Sequence, residues 1–223
     1  MSRIVRIDTL HSGDRHSCAA NGDGIRVVVW WLGCSHMCPG CHNQEYLNFD
    51  NDKFPEFSDE HINQVIEETH KYEKIYSGLS ILGGEPFDHR NIKDVIKLCE
   101  VYKSEFPRKN IWIWSGDTYE HLKEQEGEYG SDVNKLLSLC DYLVDGPFIL
   151  KQRNISLKFR GSENQRIIDL KEGKEIPLKD IQEKAAAMNI SSRTMRDVRN
   201  RMGERLVYGK GTGRENTVRL KAD

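Results

Sequence analysis

Residues 25–43 have the sequence IRVVVWWLGCSHMCPGCHN. The β-branched and aromatic run at 25–32 predicts a strand buried on both faces, as in a parallel sheet. Cys34, Cys38 and Cys41 follow at once, with three and then two residues between them. The three cysteines therefore belong to the loop at the carboxyl end of that strand, where parallel α/β folds place their functional residues.

Strand and helix patterns alternate on either side of this stretch. Residues 58–74 predict a helix, because apolar side chains recur at a period near 3.6 and Ser58 can cap its start. Further strands are predicted at 4–7, 79–82, 111–114 and 142–144, and further helices at about 90–104 and around 133–140. This alternation predicts an α/β fold with a parallel sheet.

Composition narrows the class of protein. The chain has 223 residues, of which 37% are hydrophobic and 30% charged, so it can bury a core. Its longest apolar run, Val27 to Leu32, is far shorter than the roughly 20 residues of a membrane helix. The N-terminal residues lack the apolar segment of a secretory signal, and we expect a cytoplasmic protein.

Charge is distributed unevenly along the chain. The net charge of −2 excludes a generally basic nucleic-acid coat protein. Residues 1–189 nevertheless carry a net charge of −7, whereas residues 190–221 carry nine basic and three acidic side chains. The change of sign predicts a separate C-terminal module, and the polar stretch at 171–175 is a candidate linker.

The clustered cysteines favour metal binding or catalysis over disulfides in a cytosolic chain. Thiolates select iron–sulfur clusters, zinc or Cu(I). A structural zinc site needs four closed ligands, which His36 or His42 could complete, so zinc remains an alternative. Three thiolates on a four-iron cluster would instead leave one iron open to a small molecule.

The cysteine spacing resembles the signature of the radical S-adenosylmethionine (SAM) enzymes. Residues 83–86, GGEP at the end of a predicted strand, resemble the second motif of that superfamily. A closer resemblance is to the activating proteins of anaerobic (class III) ribonucleoside-triphosphate reductases. It is carried by residues 21–26, 33–43, 111–116, 143–148 and 160–166, and covers about three quarters of the chain.

The resemblance implies a partial (β/α) barrel over residues 1–170 that holds a [4Fe-4S] cluster and SAM. Cys34, Cys38 and Cys41 would bind the cluster, and the amino and carboxylate groups of SAM would bind the open iron. The residues implied to contact SAM are Gly40, Cys41, His42, Gly83, Gly84, Glu85 and Ser115. Gly84 would let its backbone approach the methionine moiety, and His36 would orient the loop rather than bind metal.

The implied activity is that of a radical SAM oxidoreductase. One-electron reduction of SAM would yield methionine and a 5′-deoxyadenosyl radical, which generates a glycyl radical on the large subunit of the anaerobic ribonucleotide reductase. A low-potential donor such as flavodoxin is expected as a partner. Activation of another glycyl-radical enzyme and a zinc-binding protein associated with nucleic acid remain the alternatives.

Residues 175–223 are predicted to form a small basic module. Helices at 180–188 and 192–202, then strands at 206–208 and 217–220, resemble a winged helix-turn-helix. Docking to an acidic protein or a merely solvated basic face are the alternatives. The candidate phosphate contacts are Arg193, Arg196, Arg199, Arg201, Lys210 and Arg214.

The remaining cysteines match no motif. Cys99 and Cys140 lie on apolar helix stripes, and we predict that they are plain core residues. Cys18 is interpreted as structural.

Overall fold

The computed structural model describes residues 2–177, 179–180, 206–209 and 217–220. The chain divides into two compact units, residues 1–182 and 183–223. The strands of the first unit are β1 (Ile4–Asp8), β2 (Ile25–Trp31), β3 (Tyr76–Gly83), β4 (Asn110–Trp114), β5 (Tyr142–Asp145), β6 (Arg166–Asp169) and β7 (Lys174–Glu175). Its helices are α1 (Ser17–Ala20), α2 (Asp59–Lys71), α3 (Ile92–Glu105), α4 (Tyr119–Lys123) and α5 (Gly127–Leu139).

The seven strands form one mixed sheet in chain order, from β1 to β7. The four central strands, β2 to β5, are parallel, as the alternating pattern predicts. β1 pairs antiparallel with β2, and β6 and β7 are antiparallel additions at the other edge. Because the central strands are parallel, their carboxyl ends meet at one edge of the sheet, and the loops after β2, β3 and β4 lie side by side there.

Helices and sheet share the core. Every residue of β2 is buried, as predicted from its uninterrupted apolar run. Alternate residues of β2 form an apolar cluster with Tyr46 and Leu82 on one face. α2 packs against β2 and α3, and α3 packs against α5. Among the described helices, none is both long and apolar enough to cross a bilayer.

The candidate linker at 171–175 is wrong. Lys174–Glu175 is β7, which follows β6 after a tight turn in which Gly173 has a φ of +64°. Ile176, one residue further, is buried against Trp112, Val144 and Ile167. The polar composition of this stretch reflects the exposed edge of the sheet, where only one side of a strand is paired.

In the second unit, the structure describes β8 (Leu206–Gly209) and β9 (Thr217–Leu220). The two strands pair antiparallel, with Leu206 opposite Leu220. This confirms the predicted strand pair. The helix predicted at 192–202, most of the one at 180–188 and the six candidate basic residues lie outside the described residues.

Candidate active site

The loop that follows β2, residues 33–43, carries the three clustered cysteines and is called the cluster loop below. It is fixed at its start, because the amides of Gly33 and Cys34 donate to the carbonyls of Tyr46 and Leu47 at 2.7 and 3.0 Å. Gly33 has a φ of +89°, and a Cβ there would collide with the ring of Phe49, so only glycine fits. The loop therefore leaves β2 in one defined direction.

The three thiols of the cluster loop are free and half-buried. The amide of Asn43 lies 3.4 Å from Cys41 Sγ and can donate to a thiolate there. Burial raises the pKa of Cys34 to about 12, and the nearby Glu85 carboxylate adds to the effect. Without a metal, the Cys34 thiol therefore stays protonated at neutral pH. A coordinating metal ion deprotonates a thiol outright, and its positive charge offsets the free-energy cost of a buried thiolate.

The two kinds of metal group place different demands on their ligands. Within the part of the chain that the structure describes, no three His, Cys, Asp or Glu side chains come together in a group that could hold one metal ion. Ligands of one zinc ion have to converge, since each bonds at about 2.3 Å or less. Thiolates on a cubane cluster each bond a different iron, so they need not converge on one point.

The end of β3 is bound directly to the cluster loop. The amide of Gly84 donates to the carbonyl of Trp31 at 2.8 Å, and the amide of Glu85 donates to that of Gly33 at 2.7 Å. A Cβ on Gly84 would overlap the carbonyl oxygen of Gly33. The bare backbone of Gly84 thus packs against the cluster loop, a role that the sequence analysis missed; its contact with SAM remains a prediction.

A buried carboxylate joins three loops at this edge. Glu85 is 2% exposed. One of its oxygens accepts hydrogen bonds from His36 Nε2 at 2.9 Å and from the amide of Gly116 at 2.8 Å. The other oxygen accepts from the amide of Phe87 at 3.1 Å. The loops after β2, β3 and β4 therefore meet at Glu85, and we call this the Glu85 junction.

His36 belongs to the Glu85 junction. Its hydrogen bond with Glu85 raises the pKa of the imidazole, although burial acts in the opposite direction. A Cβ on Gly116 would collide with the His36 ring, so glycine there admits the imidazole. The predicted role of His36 in orienting the loop agrees with these contacts.

The remaining predicted contacts lie along the same edge. Ser115 is buried at the end of β4, where its amide donates to Val144 and its hydroxyl accepts from the amide of Asp117 at 3.0 Å. The side-chain amide of Asn43 donates to the carbonyl of Gly83 at 3.1 Å. Gly40 and His42 lie in the cluster loop itself, and both are exposed. All seven candidate SAM residues thus lie in the three adjacent loops.

Two buried polar residues were missed by the sequence analysis: Asn91 supports the site, and Arg26 braces the strands near their amino ends, away from the site. Asn91, just before α3, donates from its side chain to the carbonyls of Leu32 and Glu85 at 3.0 and 2.9 Å. Arg26 is fully buried, and its guanidinium donates to Ser80 Oγ and to three backbone carbonyls. Burial lowers the pKa of Arg26 to about 10. An arginine within a predicted strand was the only sequence signal of this role.

Cys18, Cys99 and Cys140 are buried, as expected of core residues. Burial raises the pKa of Cys18 to about 12, so it is an inert thiol.

A parallel sheet that ends in a loop of three free thiols, pinned by its neighbouring loops, offers three ligands to a metal group. The family that matches the chain identifies the class as a single-cluster iron–sulfur protein. The family described as 4Fe-4S single cluster domain matches residues 20–168. The chain is 33% identical over 147 residues to a protein of Haemophilus influenzae named anaerobic ribonucleoside-triphosphate reductase-activating protein, covering 66% of this chain and 89% of the relative. Relatives of the same name in Vibrio cholerae and phage T4 are each 34% identical, covering 89% and 85% of their own lengths.

The chain belongs to the family of anaerobic ribonucleoside-triphosphate reductase-activating proteins. This confirms the resemblance carried by the motifs between residues 21 and 166.

Proposed function

We propose that this chain is a radical SAM activase of the anaerobic ribonucleoside-triphosphate reductase. The observation that carries the proposal is the cluster loop, in which Cys34, Cys38 and Cys41 are free and half-buried while the loop is held by the Glu85 junction. Bound there, a [4Fe-4S] cluster would deliver one electron to SAM, releasing methionine and a 5′-deoxyadenosyl radical that takes a hydrogen atom from a glycine of the reductase.

The residues of the chain bind and position the reactants. Cys34, Cys38 and Cys41 supply three thiolates and leave one coordination site for SAM. The end of β3 and the loop after β4 form the rest of the SAM site, through Gly83, Gly84 and Ser115, with Glu85 holding the loops beside it. Gly40, Cys41 and His42 border it from the cluster loop.

The Glu85 junction provides preorganisation. Its carboxylate already accepts three hydrogen bonds, from His36, Gly116 and Phe87, so it has little capacity left for a ligand. Its role in the proposed site is to hold the three loops in register while SAM binds. Sites supported by such buried hydrogen bonds keep their geometry without reorganising during the reaction.

A partial (β/α) barrel is the architecture that this proposal implies for residues 1–170. One observation supports it. The parallel strands β2 to β5 follow one another in chain order, without the reversal of a doubly wound sheet. The loop edge of such an open barrel leaves room for a protein substrate.

Two partners extend the proposal. The electron comes from a low-potential donor such as flavodoxin, since reduction of SAM needs one. We infer that the second unit contains a winged helix-turn-helix module that contacts nucleic acid and begins beyond Ile176 rather than at residue 175. The basic balance of residues 190–221 and the antiparallel pair β8 and β9 support it. Because clustered thiols stay reduced in the cytoplasm, we also propose that the protein is located there.

Anaerobic reconstitution with iron and sulfide tests the proposal. The reconstituted chain should contain about four irons, cleave SAM when dithionite is added, and give the reductase a glycyl radical that is detected by electron paramagnetic resonance. A stoichiometric zinc protein would refute the cofactor assignment. Efficient SAM cleavage without a radical on the reductase would refute the substrate assignment alone.

A further inference from the structure

The connection between β5 and β6 is much longer than its geometry requires. Antiparallel neighbours can be joined by two residues, but about twenty residues separate Asp145 from Arg166. We call residues 146–165 the β5–β6 excursion. It contains a short 3-10 helix at Leu150–Gln152 and one bridge between Arg153 and Ser162. Long irregular connections inside a compact unit are commonly functional.

The β5–β6 excursion is held in a defined shape. At its base, the Gln165 side chain donates to the carbonyl of Gly146 at 2.9 Å, and the Asn164 side chain donates to that of Pro147 at 2.8 Å. Phe159 packs its ring against Trp112, and the Trp114 indole donates to the carbonyl of Phe159 at 2.8 Å. The excursion is therefore an ordered surface anchored to the sheet.

The excursion reaches the cluster loop. A Cβ built on Gly40 would lie 3.0 Å from Cδ1 of Leu150, so the Leu150 side chain rests on the backbone of Gly40. Leu150 is nevertheless 53% exposed. Its outer surface therefore borders the cluster loop and faces solvent.

Exposed apolar side chains concentrate in these two segments. Among the described residues, the large hydrophobic side chains that are exposed are Met37, Leu150 and Ile155, at 63%, 53% and 87%. One lies in the cluster loop and two lie in the excursion. Leu150 lies against the cluster loop that carries Met37, and exposed apolar groups with polar neighbours mark interaction surfaces.

The excursion also has a charge of its own. It carries the basic residues Lys151, Arg153, Lys158 and Arg160 against one acidic residue, Glu163. Lys151, Arg153 and Lys158 are exposed. The positive net charge of the excursion is opposite in sign to the net charge of −7 of residues 1–189. A positive surface attracts negative groups, so the excursion favours a partner segment that carries carboxylates.

We propose that the β5–β6 excursion, together with Met37, is the surface on which the glycine-bearing segment of the anaerobic reductase docks. The proposal rests on the proposed function: the hydrogen atom is taken from a backbone carbon of another protein, so the residues on either side of that glycine must lie on the surface that borders the cluster loop. The contact between Leu150 and Gly40 is where the excursion meets the cluster loop. The occupant is an extended segment with apolar side chains and nearby carboxylates.

Two variants test the surface without touching the cluster loop. Ile155→Asp replaces an exposed apolar side chain with a carboxylate, which the carboxylates of the partner should repel. The double variant Lys151→Glu, Arg153→Glu reverses the positive charge of the excursion. Lys74→Glu is the matched control, since it reverses an exposed charge just before β3, at the opposite end of the sheet. Dithionite-driven SAM cleavage in the absence of reductase should stay within about twofold of wild type for all three.

Anaerobic binding to the reductase should weaken about tenfold or more for the two excursion variants and not for Lys74→Glu. The glycyl-radical yield at low reductase concentration should fall in parallel and recover at high concentration. Unchanged affinity of the excursion variants for the reductase would overturn the proposal. It would also be overturned if the glycyl radical were lost with flavodoxin as the donor but not with dithionite, because the surface would then bind the electron donor. A wild-type chain that cleaves SAM but yields no glycyl radical would refute the proposed function, while the binding measurement would still decide the docking surface.

Discussion

His36 Nε2 lies 2.9 Å from a carboxylate oxygen of Glu85, and this hydrogen bond joins the cluster loop to the end of β3. The same oxygen accepts the amide of Gly116, so the loop after β4 is held as well. The two residues are 49 positions apart in the chain. Their contact ties the loop of three thiols to two neighbouring loops of the sheet edge.

His36→Ala should therefore loosen the cluster loop. A hydrogen bond to a charged group contributes about 1.5–3 kcal/mol, and its loss leaves a buried carboxylate with only backbone donors. We expect lower stability in denaturant and fewer irons per chain after reconstitution. His36→Gln, whose amide can still donate to Glu85, should recover part of both. Equal behaviour of the two variants would contradict the proposed positioning role.

The cysteines should separate into two groups. Replacing Cys34, Cys38 or Cys41 by Ala should abolish SAM cleavage, because each thiolate bonds its own iron. Replacing the buried Cys99 or Cys140 should cost about 1 kcal/mol of stability and leave iron content unchanged. Iron analysis and SAM cleavage on the five variants check this. Full activity of any variant in the first group would remove that residue from the cluster.

Gly84→Ala should separate the end of β3 from the cluster loop, because its Cβ would overlap the carbonyl of Gly33. Overpacking of this kind typically costs about 1–3 kcal/mol, and here we also expect weaker SAM binding. Gly127→Ala is the control. It has a φ of +66° but open space around it, so it should cost about 1–2 kcal/mol through backbone strain and leave SAM affinity intact. Thermal unfolding and SAM titration distinguish the two effects.

Arg26→Leu should be among the most destabilising single substitutions in the first unit. It would leave the carbonyls of Asp23, Leu79 and Asn110 without the donors they now have. Removing a buried partner from such groups costs about 1–3 kcal/mol for each one. Urea unfolding measures the effect. A loss below about 1 kcal/mol would show that water or other groups replace the guanidinium.

Stability should fall in acid through Asp141. Burial raises the pKa of this carboxyl, but hydrogen bonds from Lys103, Lys171 and the amide of Ile111 outweigh it, so the folded pKa lies below the ordinary value. A lowered carboxyl pKa stabilises the fold above the unfolded value of about 3.9 and loses that contribution as pH falls through the folded pKa. Asp141→Asn should be less stable at pH 7 and decline less steeply below pH 4. Parallel pH profiles for the two proteins would contradict this.

Much of the site was predictable from short segments. The run at 25–32 specifies a buried strand by its own side chains, and the spacing of Cys34, Cys38 and Cys41 indicates a metal site and carries the family resemblance. Residues 83–86 added the second motif, and the comparisons confirm the family. These features are local, because β-branched runs, glycine turns and ligand spacing act within a few residues of the chain.

The edges of the sheet were less predictable. β6 has only four residues, and β7 has two within a charged stretch that was interpreted as a linker. Neither segment is a strand by composition alone. β6 becomes a strand because β5 offers unpaired backbone groups beside it, and β7 becomes one because β6 does the same. Hydrogen bonds between the strands supply the stability that local propensity lacks.

The tertiary structure alone decided what holds the cluster loop. Residues 25–43 determined that three thiols follow a buried strand, and residues 83–86 determined that a glycine pair ends another. Three sets of contacts depended on how the strands pair, above all on the parallel register of β2, β3 and β4. They are the hydrogen bonds that Glu85 accepts from His36 and Gly116, the packing of Gly84 on Gly33, and the contact of Leu150 with Gly40. Register is set by the pairing of whole strands and by the packing of their buried faces, so no single segment carries this information.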